Sequence, residues 1–309
     1  MCQDLHVREN QLKTIAILGS TASGKTALSI KLAAQHNAHI LSLDSLSIYK
    51  EIDIASAKPS LIERQGIHHF GMDILSPSKH FDVTMFFDLY KEAYKASLDE
   101  GKNLIIVGGT GFYLKAMMEG LSTKPDISLP VKEIIEKHLL NIEASYALIQ
   151  EHDPLYATKI ASSDRYRIEK WLEIFLATNE IPSHYLAHAK QEPIIQDIAL
   201  FEIEISKEVL AQKIALRTKG MIKDGLINEV FGLEKCYTRT PQCMNAIGIK
   251  EVLDYFDGKF KMEGLEERIT FNTLHLAKRQ RTFNTSQFPP HTKGDVTTLF
   301  EAITAYFKS

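Results

Sequence analysis

The first hundred residues alternate between short apolar runs and segments with helical periodicity. Residues 13–18 read KTIAIL, and apolar positions recur at helical spacing from Lys25 onward. Two more apolar runs, HILSL at 39–43 and LIIV at 104–107, flank a helix-periodic stretch at 86–98. Strands that alternate with helices predict an α/β fold built on a parallel sheet. In such sheets ligands bind beyond the carboxyl ends of the strands, so a site is expected in the turns that follow these runs.

The pattern changes after about residue 124. Two prolines between 124 and 130 predict a linker. Beyond it, 131–148 and 164–177 are helix-periodic with no strand between them, and Pro182 is expected to end the second helix. The later elements are predicted as a strand at 200–205 and helices at 207–219, 221–233, 246–256 and 263–283. We therefore predict a catalytic core formed by residues 1–121 and 191–309, and an all-helical insertion domain at 122–190.

Composition narrows the class of protein. The 309 residues are 44% hydrophobic and 24% charged, which is ordinary for a globular chain able to bury a core. No apolar run approaches the ~18 residues of a membrane helix, and the polar first dozen residues do not resemble a signal peptide. Three cysteines without CxxC spacing predict free thiols in a reducing cytoplasm. A net charge of −3 gives no global sign of nucleic acid binding, which would need a local basic surface.

The strongest motif is the turn after the first apolar run. Residues 19–26 read GSTASGKT and match the P-loop pattern G-x-x-x-x-G-K-[ST] at every fixed position. The glycines let the backbone curl so that several N–H groups, with the N-terminus of the next helix, point at one anion. Lys25 would add a positive charge, and Thr26 would offer a hydroxyl to Mg²⁺. The sequence therefore predicts a site for a diphosphate or a triphosphate, such as ATP.

Two other turns fall at the same predicted edge. Asp44 follows the second apolar run, where it could hold Mg²⁺ through water, act as a base, or cap a helix. The glycine-rich turn at 108–111 either admits a ligand close to the backbone or is only a tight turn. His68 and His69 are adjacent, and neighbouring side chains do not face one way on a helix or a strand. We therefore do not expect them to share a metal.

Two segments are locally basic. Residues 207–223 carry five Lys or Arg side chains, and such a run is usually a solvated helix face. In 263–283 one helix face is apolar and is formed by Leu265, Ile269, Leu276 and Phe283. A polar stripe lies beside it and is formed by Arg268, Asn272, His275 and Arg279. Polar groups there would be half buried, with partners supplied by a site, by RNA or by internal hydrogen bonds.

These motifs stand in the order and spacing of the tRNA dimethylallyltransferase (tRNA isopentenyltransferase) family, which the chain resembles from about residue 14 to 283. The matching residues before the insertion are TASGKT at 21–26, Asp44-Ser45, Tyr49, Ala57-Lys58-Pro59, His68-His69, Asp73-Ile74, Pro77, 107–111 and Tyr113-Leu114. The later ones are Asp153-Pro154, Lys159-Ile160, Asp164, Arg167-Ile168, Arg217, Met221, Gly225-Leu226, Glu229-Val230, Leu233, 246–248, Lys250-Glu251 and 277–280. Many NTPases share the P-loop alone, whereas the ordered set is specific.

The resemblance implies a P-loop NTPase-like enzyme. It would transfer a dimethylallyl group from dimethylallyl diphosphate to the exocyclic amine of the adenosine 3′ of the anticodon in tRNAs. Diphosphate would be held by Gly19, Ser20, Thr21, Ala22, Ser23, Gly24, Lys25 and Thr26, with Thr26 on Mg²⁺. The implied catalytic residues are Asp44 as the base, Lys25 and Arg217 at the diphosphate, and Thr110 at the acceptor amine. The implied tRNA contacts are Asp44, Ser45, Leu46, Ser47, Thr110, Tyr166, Arg167, Ile168, Glu169, Lys170 and Arg279. The expected enzyme is cytoplasmic, monomeric and independent of membranes.

The chain departs from the family pattern at a few positions, and different functions stay open. Ser20 replaces the usual Pro, and Thr282-Phe283-Asn284-Thr285 stands where the family has Trp-Phe-Arg. Tyr166 and Lys170 replace Gln and Arg, so the departures concern tRNA contacts rather than the chemistry. A small-molecule kinase could use the same P-loop, but LIIV ends at Gly108 rather than at a Walker-B-like Asp. A prenyltransferase for free adenosine nucleotides and a non-catalytic RNA-binding switch are also compatible with the P-loop.

Overall fold

The computed structural model of the protein describes residues 12–309. Within this part of the chain, six parallel strands form a sheet in the order β3-β2-β4-β1-β5-β6. The strands are β1 (Thr14–Leu18), β2 (Ala38–Ser42), β3 (His69–Phe70), β4 (Asn103–Val107), β5 (Ala199–Ile203) and β6 (Thr292–Gly294). The predicted α/β fold with a parallel sheet is confirmed.

Thirteen α-helices and a short 3₁₀ helix at Gln242–Asn245 lie within the described residues. The first eight are α1 (Lys25–Gln35), α2 (Val83–Asp99), α3 (Gly111–Glu119), α4 (Leu129–His138), α5 (Ile142–His152), α6 (Pro154–Ala157), α7 (Arg165–Thr178) and α8 (Pro182–His188). The others are α9 (Lys207–Lys223), α10 (Leu226–Tyr237), α11 (Ile249–Phe256), α12 (Glu263–Gln287) and α13 (Val296–Lys308). Among the described residues, no helix combines the length and apolar character needed to cross a membrane.

The chain divides into two compact units. The first runs up to Lys115 and resumes at Ile195–Ser309, and it contains the sheet. The second, Ala116–Ile194, is helical. The predicted insertion, 122–190, lies inside the second unit, and its predicted role as the tRNA-contacting domain stays a prediction.

β4 is one of the two central strands of the sheet, next to β1. Ile105 pairs with Ile15 of β1 on one side and with Ile40 of β2 on the other, and all three side chains are fully buried. Strands that helices cover on both faces lose the alternation of polar and apolar residues, which explains the continuous apolar runs. Parallel pairing brings the turns after β1, β2 and β4 to one edge of the sheet.

The C-terminal segment completes the sheet unit, and the sequence patterns did not predict it. β6 pairs with β5, and α13 packs on α1. Leu299 and Ile303 of α13 are fully buried in the same apolar cluster as Leu28 and Leu32 of α1. β6 is short, polar and mostly exposed, so it carries no apolar signal. The hydrophobic pattern therefore could not reveal this strand.

A buried carboxylate anchors β6. Glu202 of β5 is 5% exposed and accepts hydrogen bonds from Asn284, His291 and Lys293. Burial alone would raise the pKa of Glu202, but the hydrogen bonds from Lys293, Asn284 and His291 hold it below its ordinary value. These bonds attach the end of α12 and the edge strand to β5.

Several predicted helix boundaries were wrong for local reasons. The stretch 131–148 is two helices, because Asn141 accepts a hydrogen bond from the amide of Ala144 and starts α5. α9 continues through Gly220, and the break falls instead at Gly225, whose φ of 106° favours glycine. Pro182 occupies the first position of α8, where a proline is tolerated.

The predicted apolar and polar faces of α12 are also correct only in part. The buried face consists of Leu265, Ile269, Ala277 and Asn284, so it is rotated from the predicted apolar face. Asn272 is half-buried and donates to Glu251 Oε1 at 2.6 Å, which is an internal partner. Arg268, His275 and Arg279 are exposed rather than half-buried.

The helical unit has its own core around Trp171, which is 1% exposed. Asp153, 2% exposed, supports that core by accepting hydrogen bonds from Trp171 Nε1 (3.2 Å) and from the amide of Ser183 (3.0 Å). Its other oxygen accepts from the amide of Tyr156 and caps α6. One carboxylate therefore holds three segments of this unit together.

The two ends of the helical unit pair with each other as a neck. The amide of Gln191 donates to the carbonyl of Leu121 at 2.8 Å, and Ser122 forms an antiparallel bridge with Lys190. A Cβ on Gly120 would lie 1.9 Å from the carbonyl oxygen of Gln191, and the φ of Gly120 is +80°. Glycine is therefore required where the chain enters the neck.

The packing of α13 on α1 gives the first prediction. We expect Leu299→Ala and Ile303→Ala each to lower the free energy of unfolding by about 2–5 kcal/mol, because each opens a cavity against the P-loop helix. Glu301→Ala, an exposed position on the same helix, should change it by less than about 0.5 kcal/mol. Urea unfolding followed by circular dichroism measures both; equal effects at buried and exposed positions would contradict this packing.

Candidate active site

A cavity of about 880 Å³ lies where the turns after β1, β2 and β4 meet. Its lining includes most of the P-loop, Asp44 and the Gly108-Gly109 turn. Lys213 and Arg217, one helical turn apart on α9, and Gln280 of α12 also line it. The segment 56–59, from the long connection after β2, contributes to another wall. Chemistry-bearing residues from distant parts of the sequence therefore share one cavity.

The P-loop adopts a tight, anion-binding curl. Gly19 and Gly24 have φ values of 147° and 105°, and Ala22 adopts a left-handed conformation at φ 62°. A left-handed alanine costs energy, so the surrounding structure must enforce it. Lys25 is buried and donates to the carbonyl oxygens of Gly19 (2.9 Å) and Ser20 (2.6 Å). The buried hydroxyls of Ser20 and Ser23 have no hydrogen-bond partner among the described residues.

Two cations face one carboxylate across the cavity. Burial lowers the pKa of Lys25 to about 8; Asp44 opposes this shift, and Arg217 adds to it. Burial also lowers the pKa of Arg217, again against the effect of Asp44. Arg217 donates to Thr21 Oγ1 at 3.2 Å, which holds its guanidinium beside the P-loop. The site therefore concentrates positive charge. The free energy needed to keep these buried groups charged would be offset by an anionic ligand.

Asp44 combines a capping role with an available oxygen. Its Oδ1 accepts hydrogen bonds from the amides of Leu46 (2.8 Å) and Ser47 (3.3 Å). Its Oδ2 has no hydrogen-bond partner among the described residues, and the side chain is only partly buried. Asp44 therefore caps a turn and not a helix, since the next helix along the chain is α2, and the cap leaves one carboxylate oxygen for chemistry.

The glycine turn after β4 packs directly against the backbone of the turn after β2. A Cβ on Gly108 would lie 2.6 Å from the carbonyl carbon of Leu43, so only glycine allows this contact. The amide of Leu43 donates to the carbonyl of Val107 (2.7 Å), and the amide of Thr110 donates to the carbonyl of Leu43 (3.2 Å). Thr110 is therefore fixed next to the residue that precedes Asp44.

The sequence patterns missed Gln280 as a site residue. Its Oε1 accepts from the amide of Thr21 at 2.8 Å, and its Nε2 donates to the carbonyl of Gly109 at 3.1 Å. Gln280 lies 259 residues beyond Thr21. The available signal was its place at the end of the motif at 277–280.

The patterns also missed a second support. The carboxylate of Glu229 on α10 accepts hydrogen bonds from three successive amides, those of Asp53, Ile54 and Ala55, at 2.7–2.9 Å. Lys58, whose side chain is 2% exposed, pairs with Asp53 and Asp73. These contacts hold the segment that carries the cavity wall at 56–59.

The remaining predicted tRNA contacts are distributed. Tyr166, Arg167, Glu169 and Lys170 lie on α7 of the helical unit, and Tyr166 is 69% exposed. Ile168 is fully buried in the core of that unit, so its side chain is turned inward, and its tRNA contact stays a prediction. Ser45 and Arg279 are exposed, Leu46 is partly buried, and Ser47 is buried with its hydroxyl on Ser42 (2.9 Å).

The sequence matches a known family over most of its length. The family described as IPP transferase matches residues 47–287. The chain belongs to this family. A tRNA dimethylallyltransferase from Sulfurovum sp. is 50% identical over 93% of this chain and 96% of the relative. The corresponding protein of Aliarcobacter butzleri is 48% identical over 96% of this chain and 99% of the relative.

Solved structures of IPP transferases share the fold. The tRNA delta(2)-isopentenylpyrophosphate transferase of Staphylococcus epidermidis is 29% identical with a TM-score of 0.69, over 96% of this chain and 99% of that one. A eukaryotic dimethylallyltransferase acting on tRNA is 28% identical with a TM-score of 0.77, over 89% of this chain and 70% of that one. The family membership shows an enzyme and agrees with the resemblance drawn from the motifs.

The lowered pKa of Lys25 gives the second prediction. Its ammonium is mostly present below pH 7 and is lost as the pH rises through about 8, so the affinity of the P-loop for inorganic diphosphate should fall between pH 7 and 9.5. The limiting slope is about tenfold per pH unit. Titration calorimetry measures it. Lys25→Met should bind the ligand weakly, and its affinity should depend less on pH. Comparing the two profiles separates the titration of Lys25 from that of the ligand. Lys95→Met, at an exposed position, should behave as wild type. Identical slopes in wild type and Lys25→Met would contradict the assignment.

Proposed function

We propose that this protein transfers a dimethylallyl group from dimethylallyl diphosphate to the exocyclic amine of the adenosine 3′ of the anticodon in tRNAs, and releases diphosphate. The observation that carries the proposal is one cavity in which Lys25 and Arg217 stand at the P-loop and Asp44 stands at the neighbouring turn. Support comes from relatives named tRNA dimethylallyltransferase and from a structural neighbour described as acting on tRNA.

The cations would promote departure of the diphosphate. An allylic carbon–oxygen bond breaks readily once the charge that develops on the leaving oxygens is neutralised. Buried cations and amides oriented in advance do this without reorganising, and such electrostatic stabilisation is usually the largest catalytic contribution. Lys25 would exchange its bonds to the carbonyls of Gly19 and Ser20 for phosphate oxygens. Arg217 is held beside the same loop by Thr21.

Asp44 would accept the proton of the attacking amine. The adenine amine is a weak nucleophile that becomes cationic as it bonds to carbon, so a base must take its proton. The two amides on Oδ1 orient the carboxylate, and Oδ2 is left to accept. Thr110, fixed through the carbonyl of Leu43, would lie at the acceptor amine.

The chain fits the proposed Mg²⁺. Thr26 lines the cavity, and its hydroxyl makes no hydrogen bond to the described residues, so it is free to serve as an oxygen ligand. Mg²⁺ prefers oxygen donors and is commonly held by few protein groups together with phosphates and water. When bound, it would help neutralise the leaving diphosphate.

For the tRNA itself, we propose that the target base leaves its stack to reach the cavity, as bases do in other base-modifying enzymes. The exposed Tyr166, Arg167 and Arg279 would contact the anticodon arm, and the affinity would then fall with rising salt. We also propose that the enzyme is cytoplasmic and acts as a monomer. A kinase is disfavoured because no aspartate follows β4, where Gly108 and Gly109 stand.

The third prediction tests the reaction and the base. Wild-type protein with Mg²⁺ and labelled dimethylallyl diphosphate should label bulk unmodified tRNA, and Asp44→Ala should lower the rate by about 10²- to 10⁴-fold. Asp44→Asn, which can keep the cap on Leu46 but cannot take a proton, should be similarly slow. Asp88→Asn at an exposed position should act as wild type.

A kinase would give a different result in the same assay. ATP turnover without any label in tRNA would overturn the transferase proposal and favour a kinase. Full activity in Asp44→Asn would show that Asp44 is not the base, whereas the proposed transfer reaction would stand.

A further inference from the structure

One side chain bridges the two halves of the candidate site. The carboxamide of Gln280 lies between the P-loop, which follows β1, and the glycine turn, which follows β4. It accepts from the amide of Thr21 and donates to the carbonyl of Gly109. A carboxamide supplies both an acceptor and a donor; a carboxylate supplies only acceptors, and a thioether supplies neither with comparable strength.

The surrounding backbone is shaped to admit this side chain. A Cβ on Gly109 would lie 2.3 Å from Gln280 Nε2, so glycine at 109 keeps the approach open. The contact therefore depends on a matched pair, a glutamine on α12 and a glycine in the turn. Such a fit is more than a chance surface contact, because both members line the same cavity.

The bridge continues to the candidate base. From Gly109 the chain passes to Thr110, whose amide donates to the carbonyl of Leu43, the residue before Asp44. At the other end, Thr21 also accepts from Arg217. Hydrogen bonds and short stretches of backbone thus connect Arg217 with Leu43, the residue before Asp44, and the side chain of Gln280 lies at the centre of this path.

We propose that Gln280 is a positioning residue that couples occupancy of the P-loop to the geometry of the turn at 107–111 and, through Leu43, of Asp44. The proposal deepens the transferase function and rests on it for its catalytic consequence. Gln280 is not assigned a contact with either reacting group. When diphosphate binds and orders Thr21, Gln280 fixes the position of Gly109 as well. The geometry of the turn at 107–111 then depends on whether the P-loop is occupied.

The test that needs no catalysis is amide hydrogen exchange with and without saturating inorganic diphosphate and Mg²⁺. In wild type, diphosphate should slow exchange in both 19–26 and 107–111. In Gln280→Met the protection should persist in 19–26, whereas that in 107–111 should fall by roughly tenfold. Gln150→Met makes the same change at an exposed position of α5 and should behave as wild type. Undiminished protection of 107–111 in Gln280→Met would overturn the proposal.

Kinetics separate positioning from binding. For Gln280→Met we expect kcat to fall by about 10²-fold, as for a small misplacement of reacting groups, with the Kd for diphosphate within about threefold of wild type. Gln280→Glu adds a negative charge beside the loop and should weaken diphosphate binding by about tenfold or more. Wild-type kcat in Gln280→Met, or a kcat loss that only follows lost diphosphate affinity or lost thermal stability, would refute a positioning role. If wild-type protein labels no tRNA, the transferase function fails, and the exchange experiment still decides whether Gln280 couples the two loops.

Discussion

The hydrogen-bonded ladder of β2, β4 and β1 determines where the reactive residues can stand. Because the three strands are parallel and Ile105 pairs with both Ile15 and Ile40, the turns that follow them meet at one edge. The P-loop, Asp44 and the glycine turn each occupy one of these positions. Their spacing is therefore set by strand separation, which is nearly invariant in sheets, rather than by flexible connections. Gly108 then removes the bulk that would keep its turn away from the turn after β2, and Gly109 leaves room for the side chain of Gln280.

The same edge carries an electrostatic cost. Lys25 is buried with a lowered pKa, and Arg217 lies close enough to lower that pKa further. Asp44 compensates only in part, since both cations keep a lowered pKa despite its effect. Buried hydroxyls at Ser20 and Ser23 also lack partners among the described residues. Such a site is organised for the charge of a ligand at the expense of the free protein, which is a common feature of catalytic sites.

The sequence allowed residues that line the cavity to be predicted better than the side chains that support them. The P-loop follows from a local pattern, and Asp44 from its place after a strand, so both could be read directly. Gln280 and Glu229 act on backbone atoms more than 170 residues away, and no periodicity contains that information. At Ile168 the motif shows a residue but not its orientation: five consecutive residues on a helix cannot all face outward, because the helix repeats every 3.6 residues, and Ile168 is the one that is buried. Likewise, β6 is too polar and too short to give an apolar signal, and only its pairing with β5 defines it.

The neck of the helical unit has a consequence for how this chain could have been assembled. Leu121 and Gln191 are hydrogen-bonded neighbours, so about 70 residues leave and return through adjacent positions, and the closing cost depends only weakly on the length between them. A short connection between these two positions would be enough to preserve the order of the strands in the sheet. A segment joined in this way can lengthen, shorten or be exchanged over evolution while the strand order stays unchanged. The helical unit could therefore have been acquired, and altered, independently of the sheet whose turns form the cavity.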